Sequence, residues 1–117
     1  PYGAAAQQVL TALGLWGRLN PDKKIVVGEN ITQTWQFAAS GNVDMSFVAL
    51  SQVIGPDGKI GGSWWMPPQS MYPPINQDAV ILASTPSKAA AQTFTHWLRT
   101  APAAAAIIKA AGYHVAE

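Results

Sequence analysis

Cysteine is absent from this 117-residue chain, and charged residues are scarce. The lack of cysteine excludes a disulfide framework, a thiolate metal site and a cysteine nucleophile. Charged side chains make up 11% of the residues and leave a formal net charge of +1, so the sequence has no electrostatic footprint for nucleic acid. No apolar run approaches the length of a membrane-spanning helix.

What the sequence does have is apolar content, because 49% of its residues are hydrophobic. This proportion suits one globular domain of ordinary size and argues against disorder. The sequence begins at Pro1 instead of methionine and shows no signal-peptide pattern. We therefore expect a processed or trimmed chain.

The middle of the chain has the pattern of a strand, a helix and a second strand, which together make a βαβ unit. Two short apolar runs, Ile25–Val27 and Met45–Leu50, predict the strands. Between them, Asn30 followed three residues later by Gln33 is a capping-box pattern, which predicts a helix that begins at Ile31.

The beginning of that helix is the most suggestive feature of the unit. Unpaired backbone N–H groups and the positive end of the helix dipole can hold an anion there. Every βαβ unit has such an end, however. The stretch alone therefore leaves both anion binding and a purely structural role open.

Further elements are predicted on both sides of the βαβ unit. The prolines and glycines between Ile54 and Pro74 exclude a continuous helix over that stretch. Apolar spacing and turn residues predict four helices in the whole chain, at Ala4–Leu13, Ile31–Ser40, Ser87–Arg99 and Pro102–Ala111. Strands are predicted at Lys23–Val27, Met45–Leu50, Gly62–Met66 and Asn76–Ala83.

Patterns typical of catalysis or metal binding are not indicated. His96 and His114 have no partner at metal-ligand spacing, so surface or packing roles suit them better. Ser51 lacks the Gly-x-Ser-x-Gly context of a nucleophile elbow. Trp64 and Trp65 could form a carbohydrate platform, but packing under the long loop is the better interpretation. We predict neither enzyme activity nor a metal site.

A resemblance to a known family extends over essentially the whole chain. It is carried by four ordered motifs, at Pro1–Ala6, Gly28–Ile31, Phe47–Val53 and Tyr72–Val80. With the closing helices, these motifs resemble the periplasmic molybdate-binding proteins of ABC importers. Members of that family have two α/β lobes joined by crossover strands, and they hold the oxyanion in the cleft between the lobes.

The resemblance implies an α/β fold that is the second-lobe portion of a two-lobed periplasmic-binding-protein fold of type II, a three-layer αβα arrangement that is incomplete here. Residues 1–73 would form part of the second lobe and carry half of the anion site. Residues 74–117 would form the return strand and the C-terminal helices, which pack near the first lobe. A periplasmic location and a membrane permease as partner follow from the same resemblance.

The resemblance also assigns the site residues. Molybdate or tungstate would be bound by Tyr2 and Ile31 through backbone N–H groups, with Gly3, Asn30 and Ala49 in support. Some family members have a tyrosine at the place of Ala49, so a hydroxyl contact is absent there. The Tyr2 phenol can donate one hydrogen bond, and both a ligand contact and simple packing over the turn remain open for it. No cofactor is expected besides the oxyanion.

The predicted function is therefore that of a solute-binding component that delivers molybdate or tungstate to a membrane transporter. Neither site motif contains lysine or arginine, so neutral N–H donors would hold the anion. Two alternatives remain: a receptor of the same architecture for sulfate or phosphate, and the effector-sensing domain of a transcription regulator, which would need a DNA-binding segment upstream.

Two expectations concern the chain by itself. With half of a site, it should bind molybdate weakly or not at all. Unpaired strand edges and apolar helix faces should also drive it to a homodimer or a larger oligomer, by exchange of its C-terminal strand or helices between copies. The flexible stretch from Ile54 to Pro74 would be the hinge of that exchange.

Overall fold

Within residues 1–20 and 24–115, which a computed structural model describes, the regular structure consists of helices and one 3-10 turn. The helices are α1 (Tyr2–Ala12), α2 (Trp16–Leu19), α3 (Ile31–Ala39), α4 (Leu50–Val53), α5 (Lys88–Thr100) and α6 (Pro102–Ala110). The 3-10 turn spans Gln69–Met71.

The four predicted helices are confirmed as α1, α3, α5 and α6. Helix α3 begins at Ile31, as the capping pattern predicts. Helix α1 begins at Tyr2 and so includes residues that were predicted to precede it, because the Pro1 carbonyl accepts a hydrogen bond from the Ala5 N–H at 3.0 Å. The short helices α2 and α4 and the 3-10 turn were not predicted.

Glycines in the left-handed conformation end the helices where the sequence places them. Gly41 has a φ of 72°, and its N–H donates to the Ala38 carbonyl while the Asn42 N–H donates to the Phe37 carbonyl, both at 3.1 Å. This is a Schellman motif, which satisfies two of the carbonyls that a helix end leaves unpaired. Gly112, with a φ of 85°, ends α6 in the same way.

The prediction of strands is wrong for the part of the chain that the structure describes. The only β-bridge found there is an isolated antiparallel one between Ile54 and Ile60. The segments predicted as strands have no regular secondary structure, and they are 25–27, 45–49, 62–66 and 76–83. Leu50, predicted to end a strand, begins α4. The predicted strand start at Lys23 lies outside the described residues.

The predicted strands do not form because the described residues supply no neighbouring strand for them. A strand is stabilised by ladder hydrogen bonds to a second strand, and its apolar residues need cover. Among the described residues, no backbone–backbone hydrogen bond involves residues 73–81. Val27 and Val80 are 83% and 81% exposed. These segments therefore have the apolar residues of buried strands without the partners that would make them strands.

The packed part of the molecule is small. Helix α5 packs on α6, and α1 packs on α2 and on the 3-10 turn. The buried apolar residues of the described chain are Val9, Leu10, Ala49 and Ala104. The radius of gyration is 17.6 Å, whereas a compact domain of this length has about 13 Å. None of the described helices has both the length and the apolar character to cross a membrane.

Candidate functional site

The beginning of α3 is fixed by a reciprocal side-chain cap. The Asn30 backbone is extended, and its Oδ1 accepts a hydrogen bond from the Gln33 N–H at 2.9 Å. The Gln33 Oε1 in turn accepts from the Glu29 N–H at 2.7 Å, one residue further back than in the usual capping box. The predicted capping pair is thus confirmed, with this shift of one residue in its second bond.

This cap leaves two donors at the start of the helix. The Gln33 N–H is bonded to Asn30, and the Thr34 N–H donates to the Asn30 carbonyl at 3.2 Å. Within residues 1–20 and 24–115, the N–H groups of Ile31 and Thr32 have no hydrogen-bond partner. Helix starts leave such groups unpaired, and they carry the positive end of the dipole. Two oriented neutral donors are therefore available to an anion.

A close approach between Gly28 and Thr34 shapes the turn that leads into α3. A Cβ atom on Gly28 would lie 2.5 Å from Thr34 Oγ1 and 3.1 Å from the Thr34 nitrogen. The Thr34 hydroxyl is held there because it donates to the Asn30 carbonyl at 3.1 Å. Only glycine fits at position 28 without a shift of its neighbours.

Two contacts connect this turn to the segment 45–49. The Ser46 hydroxyl donates to the Thr34 carbonyl at 3.2 Å, which ties the segment to α3. At the end of the segment, Ala49 is 7% exposed and its N–H donates to Gln52 Oε1 at 3.2 Å. Ala49 is thus a buried residue at the start of α4, and its methyl side chain offers no donor.

Tyr2 and Gly3 lie at another helix start, that of α1. The Ala5 N–H is bonded to Pro1, whereas the N–H groups of Tyr2, Gly3 and Ala4 have no partner among the residues that the structure describes. The Tyr2 side chain is half-buried, and its hydroxyl makes no hydrogen bond within that part of the chain. Both roles considered for this phenol therefore stay predictions.

A shallow groove of about 310 Å³ runs along the first turns of α1. One wall is made of α1 residues and the other is the segment 73–76. Its lining consists of Pro1, Ala4, Ala5, Gln8, Pro73, Pro74, Ile75 and Asn76. Residues 73–76, which belong to the predicted return strand between the lobes and its approach, therefore lie close to the start of α1, where Tyr2 is.

The five predicted site residues thus fall into two places. Asn30 and Ile31 form the start of α3, with Ala49 at the end of a segment that Ser46 ties to that helix. Tyr2 and Gly3 form the start of α1, and no hydrogen bond of the described chain joins them to the other three. Ligand contact by any of them stays a prediction.

Neither helix start has a basic side chain near it in the sequence, so the positive potential from the protein there is that of the helix dipole. No lysine or arginine occurs in residues 1–17 or 28–49. The one ion pair of the described residues, between Lys59 and Asp57 at 3.7 Å, is exposed and lies in a loop. His96 and His114 are exposed, and no group of three His, Asp or Glu residues in that part of the chain could hold a metal ion.

Sequence reasoning missed three contributors to this architecture. From the sequence, Gly28 was named only within the motif Gly28–Ile31, whereas the close approach of Thr34 constrains this position to glycine. Ser46 gave no signal, because its bond to α3 joins residues that local patterns do not connect. The third is a hydrogen bond from the Tyr113 hydroxyl to Ser51 Oγ at 3.1 Å, which spans 62 positions in the chain.

Comparison with known proteins defines the class. The family model of the bacterial extracellular solute-binding proteins matches residues 1–114. The chain belongs to that family, and its fold is part of the solute-binding-protein fold. This confirms the predicted fold class, although the described residues by themselves do not form its sheet.

The relatives narrow the resemblance further. The chain is 50% identical over 113 residues to the molybdate-binding protein ModA of Rhodobacter capsulatus. This match covers 97% of this chain and 42% of that protein. Identity to the molybdate-binding protein ModA of Azotobacter vinelandii is also 50%, over 114 residues, covering 97% of this chain and 44% of the relative. The resemblance to molybdate-binding proteins is confirmed.

A solved structure supports the same conclusion. The periplasmic molybdate-binding protein of Azotobacter vinelandii superposes with a TM-score of 0.92 at 48% identity, covering all of this chain and 50% of that one. The chain therefore spans about half the length of the relatives it matches. These relatives are all molybdate-binding proteins by name.

Proposed function

We propose that this chain is part of the solute-binding component of an ABC importer and supplies half of a site for molybdate or tungstate. The observation that carries the proposal is the start of α3, where the cap leaves the Ile31 and Thr32 N–H groups without a partner among the described residues. The names of the relatives supply the ligand class.

Neutral donors suit this ligand. Each N–H bond to a charged oxygen contributes roughly 1.5–3 kcal/mol, so several converging donors can hold a dianion without a lysine or arginine. In this proposal Ile31 donates through its backbone, and Asn30 keeps that backbone in place. Tyr2 and Gly3 contribute the N–H groups at the start of α1. Discrimination against sulfate then rests on the spacing of the donors.

The proposal includes the remaining partners. The chain works in the periplasm, hands its oxyanion to a membrane permease and catalyses no reaction. The periplasmic relative and the family support this setting. Residues 1–73 supply the half-site, and residues 74–117 meet the other lobe.

The test uses isothermal titration calorimetry in two preparations. One is the 117-residue chain alone. The other, which we call the reconstituted mixture, adds the portion of the Azotobacter vinelandii relative that this chain does not match. We expect weak or undetectable molybdate binding by the chain alone, and much tighter binding of molybdate and tungstate than of sulfate or phosphate in the reconstituted mixture.

Each other outcome has a defined meaning. Tighter binding of sulfate or phosphate in the reconstituted mixture would replace the proposed ligand by another oxyanion. Submicromolar binding of molybdate by the chain alone would mean that a second copy completes the site. No oxyanion binding by a folded reconstituted mixture would refute the proposal.

We further propose that the chain alone self-associates as a homodimer. Its α5 and α6 carry exposed apolar side chains, with Phe94 58% and Ile107 63% exposed, and the backbone of residues 73–81 has no backbone partner in the described chain. A second copy can supply both an apolar face and an unpaired backbone by exchange of the same elements.

A further inference from the structure

The turn that follows α6 lies against the first turn of α4. After α6 ends, the Gly112 N–H donates to the Lys109 carbonyl at 3.0 Å, and the Tyr113 N–H donates to the Ile108 carbonyl at 3.1 Å. These bonds are those of a Schellman motif, which requires the left-handed conformation that Gly112 adopts with a φ of 85°. The turn is therefore a defined structure that can hold another element in place.

Two contacts of different kinds join this turn to α4. A Cβ atom on Gly112 would lie 2.7 Å from Leu50 Cγ and 3.0 Å from Leu50 Cδ2, so the glycine allows a close approach of backbone to side chain. Beside it, the Tyr113 hydroxyl donates to Ser51 Oγ at 3.1 Å. Leu50 and Ser51 are neighbours in α4, so both contacts act on the same turn.

Helix α4 depends on contacts of this kind, because it has only four residues. One helical turn is not stable by itself in water. Its local hydrogen bonds, from the Gln52 N–H to the Ala49 carbonyl and from the Ile54 N–H to the Leu50 carbonyl, fix its shape but not its position. The position is set by what packs against it.

We propose that Gly112 and Tyr113 are positioning residues that hold α4 in place, and through α4 the buried Ala49 at its start. We call their two contacts with Leu50 and Ser51 the α4 latch. The relevance of the latch to an anion site rests on the proposed function, in which the Ala49 end of the segment 45–49 supports the half-site. The α4 latch itself does not depend on any ligand.

The first test removes only the hydrogen bond of the α4 latch. NMR-detected amide exchange would be measured for the 117-residue chain and for Tyr113→Phe, Ser51→Ala and the double variant. We expect each single substitution to speed exchange of the Gln52 and Ile54 amides about fivefold. The double variant should be no faster than either single one, because all three lack the same bond.

Controls separate the α4 latch from a general loss of structure. Exchange of the Gln33 amide, which the Asn30 side chain protects, should stay unchanged in all three variants. Tyr72→Phe is the matched control, since its hydroxyl makes no hydrogen bond with the described residues. Unchanged exchange at Gln52 and Ile54, fully additive effects or equal acceleration at Gln33 would each overturn the proposal.

A second pair of variants tests the glycine contact. Gly112→Ala places a methyl group against Leu50, whereas Gly14→Ala has a similar φ of 69° and no heavy atom within 4 Å of the new methyl. Both variants place an alanine in the left-handed region, so their backbone strain is similar. Only Gly112→Ala should speed exchange of the Gln52 and Ile54 amides, and an equal effect of Gly14→Ala there would contradict the α4 latch.

A binding measurement keeps this inference separate from the proposed function. In the reconstituted mixture, Tyr113→Phe should weaken molybdate binding about threefold to tenfold. If the unsubstituted mixture binds no oxyanion, the proposed function fails while amide exchange still decides the α4 latch. If binding is normal and Tyr113→Phe speeds exchange without weakening it, α4 is latched but does not support the site, which overturns that part of the proposal.

Discussion

Two regions of the chain differ in what holds them: the turn into α3, residues 28–34, and the segment 73–82 before α5. In the turn, hydrogen bonds between residues three or four positions apart fix the backbone around Asn30. In the segment, residues 73–81 have no backbone–backbone bond in the described chain, and Val80 is 81% exposed.

The difference is one between local and distant partners. The side-chain bonds that cap the turn all join residues within 29–34, so this cap does not depend on distant residues. The segment needs a neighbouring strand and cover for its apolar side chains, and the described residues supply neither. In our account the N–H donors at the start of α3 are therefore already oriented. The segment 73–82, in contrast, lacks a partner strand and cover for its apolar side chains among the described residues.

The largest effect that we expect concerns the region without partners. By light scattering at micromolar concentration, the chain should have about twice its monomer mass of 12.4 kDa. The double variant Phe94→Gln and Ile107→Gln removes apolar surface from α5 and α6 and should shift the measured mass toward the monomer.

Met66→Gln is the matched control, because Met66 is 51% exposed and lies outside these helices. It should leave the dimer intact. A monodisperse monomer with cooperative unfolding would show that the chain closes its own core, and the contrast between the two regions would then be wrong.

The second effect tests the close approach inside the turn. Gly28→Ala places a methyl group against Thr34 Oγ1 and the Thr34 backbone, so we expect a loss of about 2 kcal/mol in the free energy of unfolding. Gly3→Ala is the control, since its methyl meets no atom within 4 Å and alanine favours a helix. Urea denaturation at one protein concentration measures both, and equal losses would argue against the close approach as the cause.

The third effect is that of the cap. Asn30→Ala removes the acceptor of the Gln33 N–H and should lower the free energy of unfolding by about 1 kcal/mol. It should also weaken molybdate binding in the reconstituted mixture, because it loosens the Ile31 and Thr32 donors. Unchanged stability in urea denaturation would mean that the side-chain cap does not hold the turn.

The smallest effect on binding is expected for Ile31→Ala. This substitution removes part of a half-buried side chain and keeps the backbone N–H, so stability should fall while molybdate affinity changes little. Calorimetry on the reconstituted mixture measures the affinity. A variant that folds but binds more than tenfold more weakly would argue that the side chain, and not the backbone, makes the contact.

The contrast between local and distant partners also explains which parts of the fold could be predicted from the sequence. The start of α3 at Ile31 could be predicted because its signal, Asn30 followed by Gln33, is local. The ends of α3 and α6 could be predicted to within one residue because a glycine that adopts the left-handed conformation, Gly41 or Gly112, follows each helix closely. The strands failed because apolar composition signals a need for burial and does not show whether the partner strand is present.

For the site, the residues at the helix start could be predicted from the sequence, but their contacts with distant residues could not. Asn30 and Ile31 lie at a helix start with unpaired donors, as predicted. Nothing in the local pattern indicates that the Ser46 hydroxyl donates a hydrogen bond to the Thr34 carbonyl. The hydrogen bond between Tyr113 and Ser51 likewise depends on the folded path of the chain. Contacts between distant residues require the structure.

The most direct test of the central claim is the molybdate affinity of Asn30→Asp in the reconstituted mixture. Aspartate caps a helix as well as asparagine does, so the free energy of unfolding should stay within about 0.5 kcal/mol. Its carboxylate would compete with an anion for the positive end of α3, next to the Ile31 and Thr32 N–H groups. We predict at least a tenfold loss of molybdate affinity at unchanged stability. Undiminished affinity would contradict the claim that the start of α3 holds the anion.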